Sequence, residues 1–75
     1  MAMLNPEITE KIITFLSENY PKDFNIQDIA DAIEIHRNTV STYLKVLVAE
    51  GTLKVSRKIG RIRLYTIATK QMENN

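Results

Sequence analysis

Five polar side chains share one side of the helix that the sequence predicts between residues 36 and 51. Two are cations and three are short side chains that donate or accept hydrogen bonds: Arg37, Asn38, Ser41, Thr42 and Lys45. This side holds no acid, whereas a helix face that is merely solvated usually mixes acids with bases. Groups of this kind suit phosphate oxygens and the edges of nucleic-acid bases.

The opposite side of the same helix is apolar. Its members are spaced i, i+3, i+4, i+7 and i+8, and they are Val40, Tyr43, Leu44, Leu47 and Val48. That spacing is typical of the stripe that a globular helix buries. The helix therefore has one face for the core and one free for a ligand, and its single acid, Glu50, stands at the far end.

A second group of cations surrounds Gly60, and its members are Arg57, Lys58, Arg61 and Arg63. A basic hairpin tip can lie along phosphates or enter a narrow minor groove. Cations on a hairpin also prevent edge-to-edge strand pairing, so this second interpretation stays open. Arg63 is the least clear of the four, because its strand face is shared with Tyr65.

Charge is unevenly distributed along the chain. Residues 1–35 carry two cations and seven acids, and residues 36–75 carry eight cations and two acids, so the halves have net charges of −5 and +6. A molecule polarised in this way orients in the field of a polyanion. Chance clustering of acids in the first helices is the alternative.

Composition limits the possible functions. Seventy-five residues with 44% apolar content make one small domain without cysteine, which excludes disulfides and thiolate metal sites and is compatible with a cytoplasmic protein. His36 is the only histidine, and a metal site would need further ligands. We expect no enzyme, cofactor, metal or small-molecule ligand, and no membrane span or signal peptide.

Helix signals divide the first two thirds of the chain into three segments. Asn5 caps a helix over about 6–20, which carries a wide apolar stripe that includes Ile12 and Leu16. Asn25, with Asp28 three residues on, opens a helix over about 26–33. The third helix covers about 37–50, and Gly51 ends it in a left-handed conformation.

After Gly51 the apolar pattern alternates, which predicts a β-hairpin over about 52–67 and a polar tail over 70–75. One face of the hairpin should lie on the helices. We expect that face to consist of Leu53, Val55, Tyr65 and Ile67, with Ile62 and Leu64 on the other; the opposite register is possible.

The segment IQDIADAIEIHRNTVSTYLKVLVAEGTLKVSRKIGRIRLYTI resembles the winged helix-turn-helix DNA-binding domains, above all those of small bacterial and archaeal transcriptional regulators. Ala30, Ile35, Val40 and Tyr43 stand at the family's small and apolar helix-turn-helix positions. The resemblance covers about 6–67 and implies an α+β, mainly α fold of three helices followed by a two-stranded hairpin. It makes the third helix the recognition helix and the hairpin the wing.

Two positions differ from the common family pattern. Glu34 stands in the turn where many members have glycine, so we expect either a strained backbone or a turn that differs by one residue. His36 stands where many members have a serine or threonine cap. We expect His36 to cap the third helix or to lie near a phosphate.

Three functions agree with these features. The resemblance and the polar stripe favour a transcriptional regulator that binds double-stranded DNA as a homodimer. The alternatives are a protein-interaction winged helix of a transcription or replication assembly, and an architectural DNA binder. A dimer would use the N-terminal segment, the first helix or the outer face of the hairpin. The first helix could instead simply be central to the core.

Overall fold

The computed structural model describes residues 4–68, which fold into three helices followed by an antiparallel hairpin. The elements are α1 (Pro6–Glu18), α2 (Ile26–Ile33), α3 (Arg37–Glu50), β1 (Leu53–Ile59) and β2 (Ile62–Ile67). The predicted fold class, α+β and mainly α, is confirmed. The predicted polar tail, 70–75, lies outside the described residues, as do Met1 and Met3.

Helix α1 begins as the sequence predicts but ends earlier. The Asn5 side-chain oxygen accepts a hydrogen bond from the Glu7 N–H at 2.8 Å, and Pro6 occupies the first turn. The Phe15 carbonyl oxygen accepts from the Asn19 side-chain amide at 2.7 Å and from the Asn19 backbone N–H at 3.2 Å. These bonds satisfy a carbonyl at the helix end, and the chain leaves the helix after Glu18, about two residues before the predicted position.

The turn between α2 and α3 is built on Glu34. This residue has the left-handed conformation, with φ 59° and ψ 45°, at a position where the family often has glycine. The Ile35 N–H donates to the Ala30 carbonyl oxygen at 3.1 Å, which satisfies the end of α2. The first of the two expected outcomes, a strained backbone at Glu34, is therefore confirmed.

Helix α3 has the predicted cap at each end. The Nδ1 atom of His36 accepts from the Asn38 N–H at 3.0 Å, so the histidine takes the place of a serine or threonine cap. Gly51 has φ 86°, and the Thr52 N–H donates to the Leu47 carbonyl oxygen at 3.0 Å. That bond closes the helix in the way a left-handed glycine normally does.

The hairpin contains a β-bulge that the sequence analysis did not predict. Val55 pairs with Tyr65 and Arg57 pairs with Leu64, so Ser56 is an extra residue without an opposite partner. The Ser56 hydroxyl donates to the Asp23 carboxylate and contacts the Leu64 carbonyl oxygen at 3.4 Å. The extra residue changes which side chains of β1 face each side of the hairpin.

Two expectations about which side chains of the hairpin are buried were wrong. Val55 lies opposite the buried Tyr65, on the predicted face, but it is 39% exposed and lines an open hollow of about 290 Å³ together with Lys45 and Ala49 of α3. Leu64 was expected to face outward but is only 9% exposed. The Asp23–Ser56 contact holds the loop before α2 against this end of the hairpin. Leu53 and Tyr65 are buried as predicted, and Ile67 is half-buried against the core.

Strand β2 has neighbours on both sides at Tyr65. Its backbone N–H donates to the Phe24 carbonyl oxygen at 2.7 Å, and the Phe24 N–H donates back at 3.0 Å. Phe24 also contacts Phe15, with ring centroids 4.8 Å apart. The loop before α2 thus pairs with β2 through a single-residue β-bridge, which fixes the base of the hairpin to α1 and α2.

The core lies where α1 and α2 meet α3 and the base of the hairpin. Its fully buried side chains are Ile12, Leu16, Ile29, Val40, Leu44 and Leu53. Tyr43 is buried too, and its hydroxyl oxygen accepts from the Asn5 N–H at 2.7 Å, which joins the start of α1 to α3. Since Ile12 and Leu16 belong to the core and Ile8 and Ile13 pack against it, α1 occupies the central position that was the alternative interpretation.

Candidate nucleic-acid interface

Three arginines from separate parts of the chain line one surface cleft of about 210 Å³. Arg37 comes from the start of α3, Arg61 from the hairpin turn and Arg63 from β2. We call this hollow the cationic cleft, and its other lining residues are Asn25, Ile26, Gln27 and Ile62. No acid lines it. The fold therefore brings Arg37 of α3 and two cations of the hairpin to a single place, whereas the other predicted cations, Lys45, Arg57 and Lys58, do not line the cleft.

The start of α2 forms one wall of the cationic cleft. Asn25 caps this helix by accepting from the Asp28 N–H at 2.8 Å, and Ile26 and Gln27 form its first turn. The first N–H groups of a helix point outward and carry the positive end of its dipole. The helix dipole and the three guanidinium groups thus all favour an anion in this cleft.

Lys58 and Arg63 lie directly opposite each other on the two strands of the hairpin. Like charges at opposite positions of a strand pair destabilise the pair. An anion near both side chains would remove that repulsion. Arg63 also lines the hollow beside Lys45 of α3, so it connects the cationic cleft with the lower part of the polar stripe.

The polar stripe of α3 faces outward for most of its length. Arg37, Asn38, Thr42 and Lys45 are exposed, whereas Ser41 is half-buried. The Thr42 hydroxyl donates to the Asn38 carbonyl oxygen at 3.3 Å, which leaves the hydroxyl oxygen available as an acceptor. Hence the stripe presents donors and acceptors to a ligand, and Ser41 contributes the least accessible one.

Arg57 differs from the other cations of the wing because it has an acidic partner in its own chain. Its Nε lies 2.9 Å from Oδ2 of Asp23, and its Nη2 lies 3.4 Å from Oδ1. Hydrogen bonds from Ser56, and then from Arg57, hold the pKa of Asp23 below its usual value. Asp23 therefore offsets part of the charge that Arg57 would offer to a ligand.

The tip of the wing carries an exposed apolar pair that the sequence analysis did not single out together. Ile59 and Ile62 lie opposite each other and are 57% and 50% exposed. Gly60 between them has φ 61°, the conformation that tight two-residue hairpin turns require at this position. Their sequence positions on either side of Gly60–Arg61 were the available signal. The tip thus combines two isoleucines with neighbouring cations.

The described part of the chain shows neither a metal-binding group nor a membrane-spanning helix. Over residues 4–68, no group of histidine, aspartate and glutamate side chains is arranged to hold a metal ion. No helix in the same range is both long and apolar enough to cross a membrane. His36, the single histidine, serves as the cap of α3.

Comparison of the chain with protein-family models, curated proteins and solved structures gave no match.

Proposed function

We propose that this chain is a winged helix-turn-helix DNA-binding protein that acts as a transcriptional regulator. The observation that carries the proposal is the convergence of Arg37, Arg61 and Arg63 on one acid-free cleft between the recognition helix and the wing. A DNA backbone that passes between a helix in the major groove and a basic hairpin presents phosphates at such a place.

In this proposal α3 enters the major groove, which is about 12 Å wide and admits one helix. Asn38, Thr42 and Lys45 then face the bases or the flanking phosphates. A phosphate occupies the cationic cleft, where the start of α2 adds N–H groups to the three guanidiniums. The wing tip follows the backbone toward the minor groove, where Ile59 and Ile62 can contact sugars or wedge against a base step.

Two features of the proposal concern context. One small helix-turn-helix reads only a few base pairs, so we propose that two copies bind adjacent half-sites as a homodimer. Transcriptional regulation of this kind also implies a cytoplasmic protein. An architectural DNA binder would use the same residues without base contacts, and comparing affinities over many random duplexes distinguishes the two functions.

A salt titration tests the electrostatic part of the proposal. Log affinity for a duplex of about 20 base pairs should fall linearly with log salt, with a slope of about 0.9 for each phosphate that the protein neutralises. The variant Arg61→Ala/Arg63→Ala should bind every duplex more weakly and reduce the slope by up to about 1.8. Fluorescence anisotropy with a labelled duplex measures both quantities.

The matched control is Lys11→Ala/Lys22→Ala, which removes the same charge from exposed positions in the acidic half. We expect this variant to lower the slope much less than Arg61→Ala/Arg63→Ala. Equal effects of the two double variants would mean that net charge, and not the cationic cleft, attracts DNA. Binding that responds neither to salt nor to any of these substitutions would refute the proposal.

A further inference from the structure

A second recess, between α1 and the end of α2, has the opposite chemistry from the cationic cleft. Its volume is about 570 Å³, and we call it the acidic groove. Its lining residues are Glu7, Glu10, Lys11, Thr14, Phe15, Glu18, Ala32, Ile33 and Glu34. It shares no lining residue with the cationic cleft.

The acidic groove has an apolar floor and an acidic rim. Phe15 and Ile33 are half-buried at the floor, and Ala32 is an exposed small residue beside them. Four exposed glutamates and one lysine are the charged residues at the rim. A net charge of −3 from these five side chains disfavours nucleic acid and anionic ligands and favours a cationic partner.

The acidic groove follows one face of α1, and its apolar part is confined to Phe15 beside Ala32 and Ile33 at the end of α2. The glutamates at the two ends of the groove, Glu7 and Glu18, are separated by eleven residues of α1, which correspond to roughly 16 Å or about three helical turns. An amphipathic helix places apolar anchors at i, i+3 or i+4 and i+7 over that distance. Its flanking positions would then lie along the glutamates.

We propose that the acidic groove binds a cationic amphipathic helix of a partner protein. The apolar face of that helix covers Phe15, Ala32 and Ile33, and its lysines or arginines pair with the glutamates of the rim. Charge complementarity and the apolar floor select this occupant. The chain could then bind a protein on its α1–α2 side while its α3 and wing side remains free for DNA.

A second copy of the chain offers a poorer match. The cations of α3 lie on a stripe without a large apolar residue, so that helix cannot supply apolar anchors beside its charges. The wing supplies Ile59 and Ile62 beside cations, but it is a hairpin tip with one apolar pair, not a helix with anchors over three turns. The partner is therefore a different protein.

The test uses the full chain and a labelled fourteen-residue helical peptide with leucines on one face and lysines on the other. A second peptide keeps the leucines and replaces every lysine by glutamate. We expect the lysine peptide to bind and to shift backbone NMR signals of residues 7–18 and 32–34, and the glutamate peptide not to bind. Two exposed ion pairs contribute about two- to thirtyfold in affinity. Glu10→Gln/Glu18→Gln should therefore lower the affinity for the lysine peptide by about that factor.

The control Asp28→Asn/Asp31→Asn makes the same charge change on exposed α2 residues outside the groove and should change affinity less than about twofold. Ala32 is an exposed lining residue of the groove, so Ala32→Lys should lower the affinity for the lysine peptide while the NMR spectrum remains that of a folded protein. Equal losses in both double variants, or shifts confined to other elements, would overturn the proposal. So would self-association of the wild type that Glu10→Gln/Glu18→Gln abolishes, since a second copy would then be the occupant. DNA affinity measured on Glu10→Gln/Glu18→Gln is a separate readout, because neither glutamate lines the cationic cleft.

Discussion

Arg37 and Asn38 are neighbours in the first turn of α3, but their surroundings differ. The sequence alone left both a base contact and a phosphate contact open for each. Arg37 lines the cationic cleft with two wing arginines, whereas Asn38 does not. A residue that shares an anion with the wing is placed for a phosphate, and one on the open face of the helix is placed for a base edge.

We predict that the two alanine variants separate these roles. Asn38→Ala should reduce discrimination at particular base pairs, at roughly 1–3 kcal/mol for the preferred site. Arg37→Ala should weaken all duplexes alike and lower the salt slope by about 0.9. Affinities for a set of duplexes that differ by single base pairs measure both. Losses for Arg37→Ala that depend on particular base pairs would show that Arg37 contacts a base and not a phosphate.

Several single residues could be interpreted correctly from sequence because their roles are local. Asn5, Asn25 and His36 each cap a helix by accepting an N–H two or three residues further along the chain. Gly51 likewise acts within its own turn. Asp23 was not predicted as a partner of Arg57, because 34 residues separate them and only the folded chain brings them together.

At the scale of elements, Asp23 is the side chain that holds β1 to the loop before α2. It accepts from both Ser56 and Arg57 at the bulge. Its lowered pKa means that the ionised form is favoured by folding. The associated stability is present above the unfolded-state pKa of about 3.9 and is lost as pH falls through the lower folded-state pKa.

We predict that Asp23→Asn lowers Tm at pH 6–7 and that its difference from the wild type shrinks below about pH 4. Thermal unfolding followed by circular dichroism across this range gives the two curves. Glu10→Gln is the control, because it removes one carboxylate from an exposed position of α1. A Tm difference with the same size and pH dependence in both variants would show that Asp23 has no special role.

The order and type of the helices and strands could be predicted from the sequence, but the contacts that join them could not. Apolar periodicity and caps are properties of a few consecutive residues, and they locate α2, α3 and the hairpin closely. The bulge at Ser56 and the strand pairing of Phe24 with Tyr65 depend on contacts between distant segments. The predicted faces of Val55 and Leu64 agree with the strand pairing, but the exposure of Val55 and the burial of Leu64 were not predicted, while Leu53 and Tyr65 were placed correctly.

At the scale of the whole molecule, the uneven charge of the chain results in two surface recesses of opposite charge. The cationic cleft collects residues of the basic half together with the start of α2, and the acidic groove collects residues of the first 34 positions. Composition could predict the polarity but not these two recesses, which arise from packing.

The homodimer remains a prediction at this scale. Since α1 gives Ile12 and Leu16 to the core, the large apolar side chains that stay exposed among residues 4–68 are Tyr20, Val55, Ile59 and Ile62. We expect two copies to occupy a duplex with two half-sites cooperatively, as measured by sedimentation and titration at micromolar concentration. Independent binding of single copies that stay monomeric on such a duplex would exclude the dimer.

The pairing of Phe24 with Tyr65 has a mechanical consequence for the wing. At Tyr65 strand β2 is paired on both sides, with β1 and with Phe24, whereas beyond the bulge at Ser56 each strand pairs only with the other. The hairpin is therefore held at its base by Phe24 and at the bulge by Asp23, whereas its tip extends beyond both contacts. We expect the tip with Ile59 and Ile62 to adjust to grooves of different width while Tyr65 and the core beneath it stay in place.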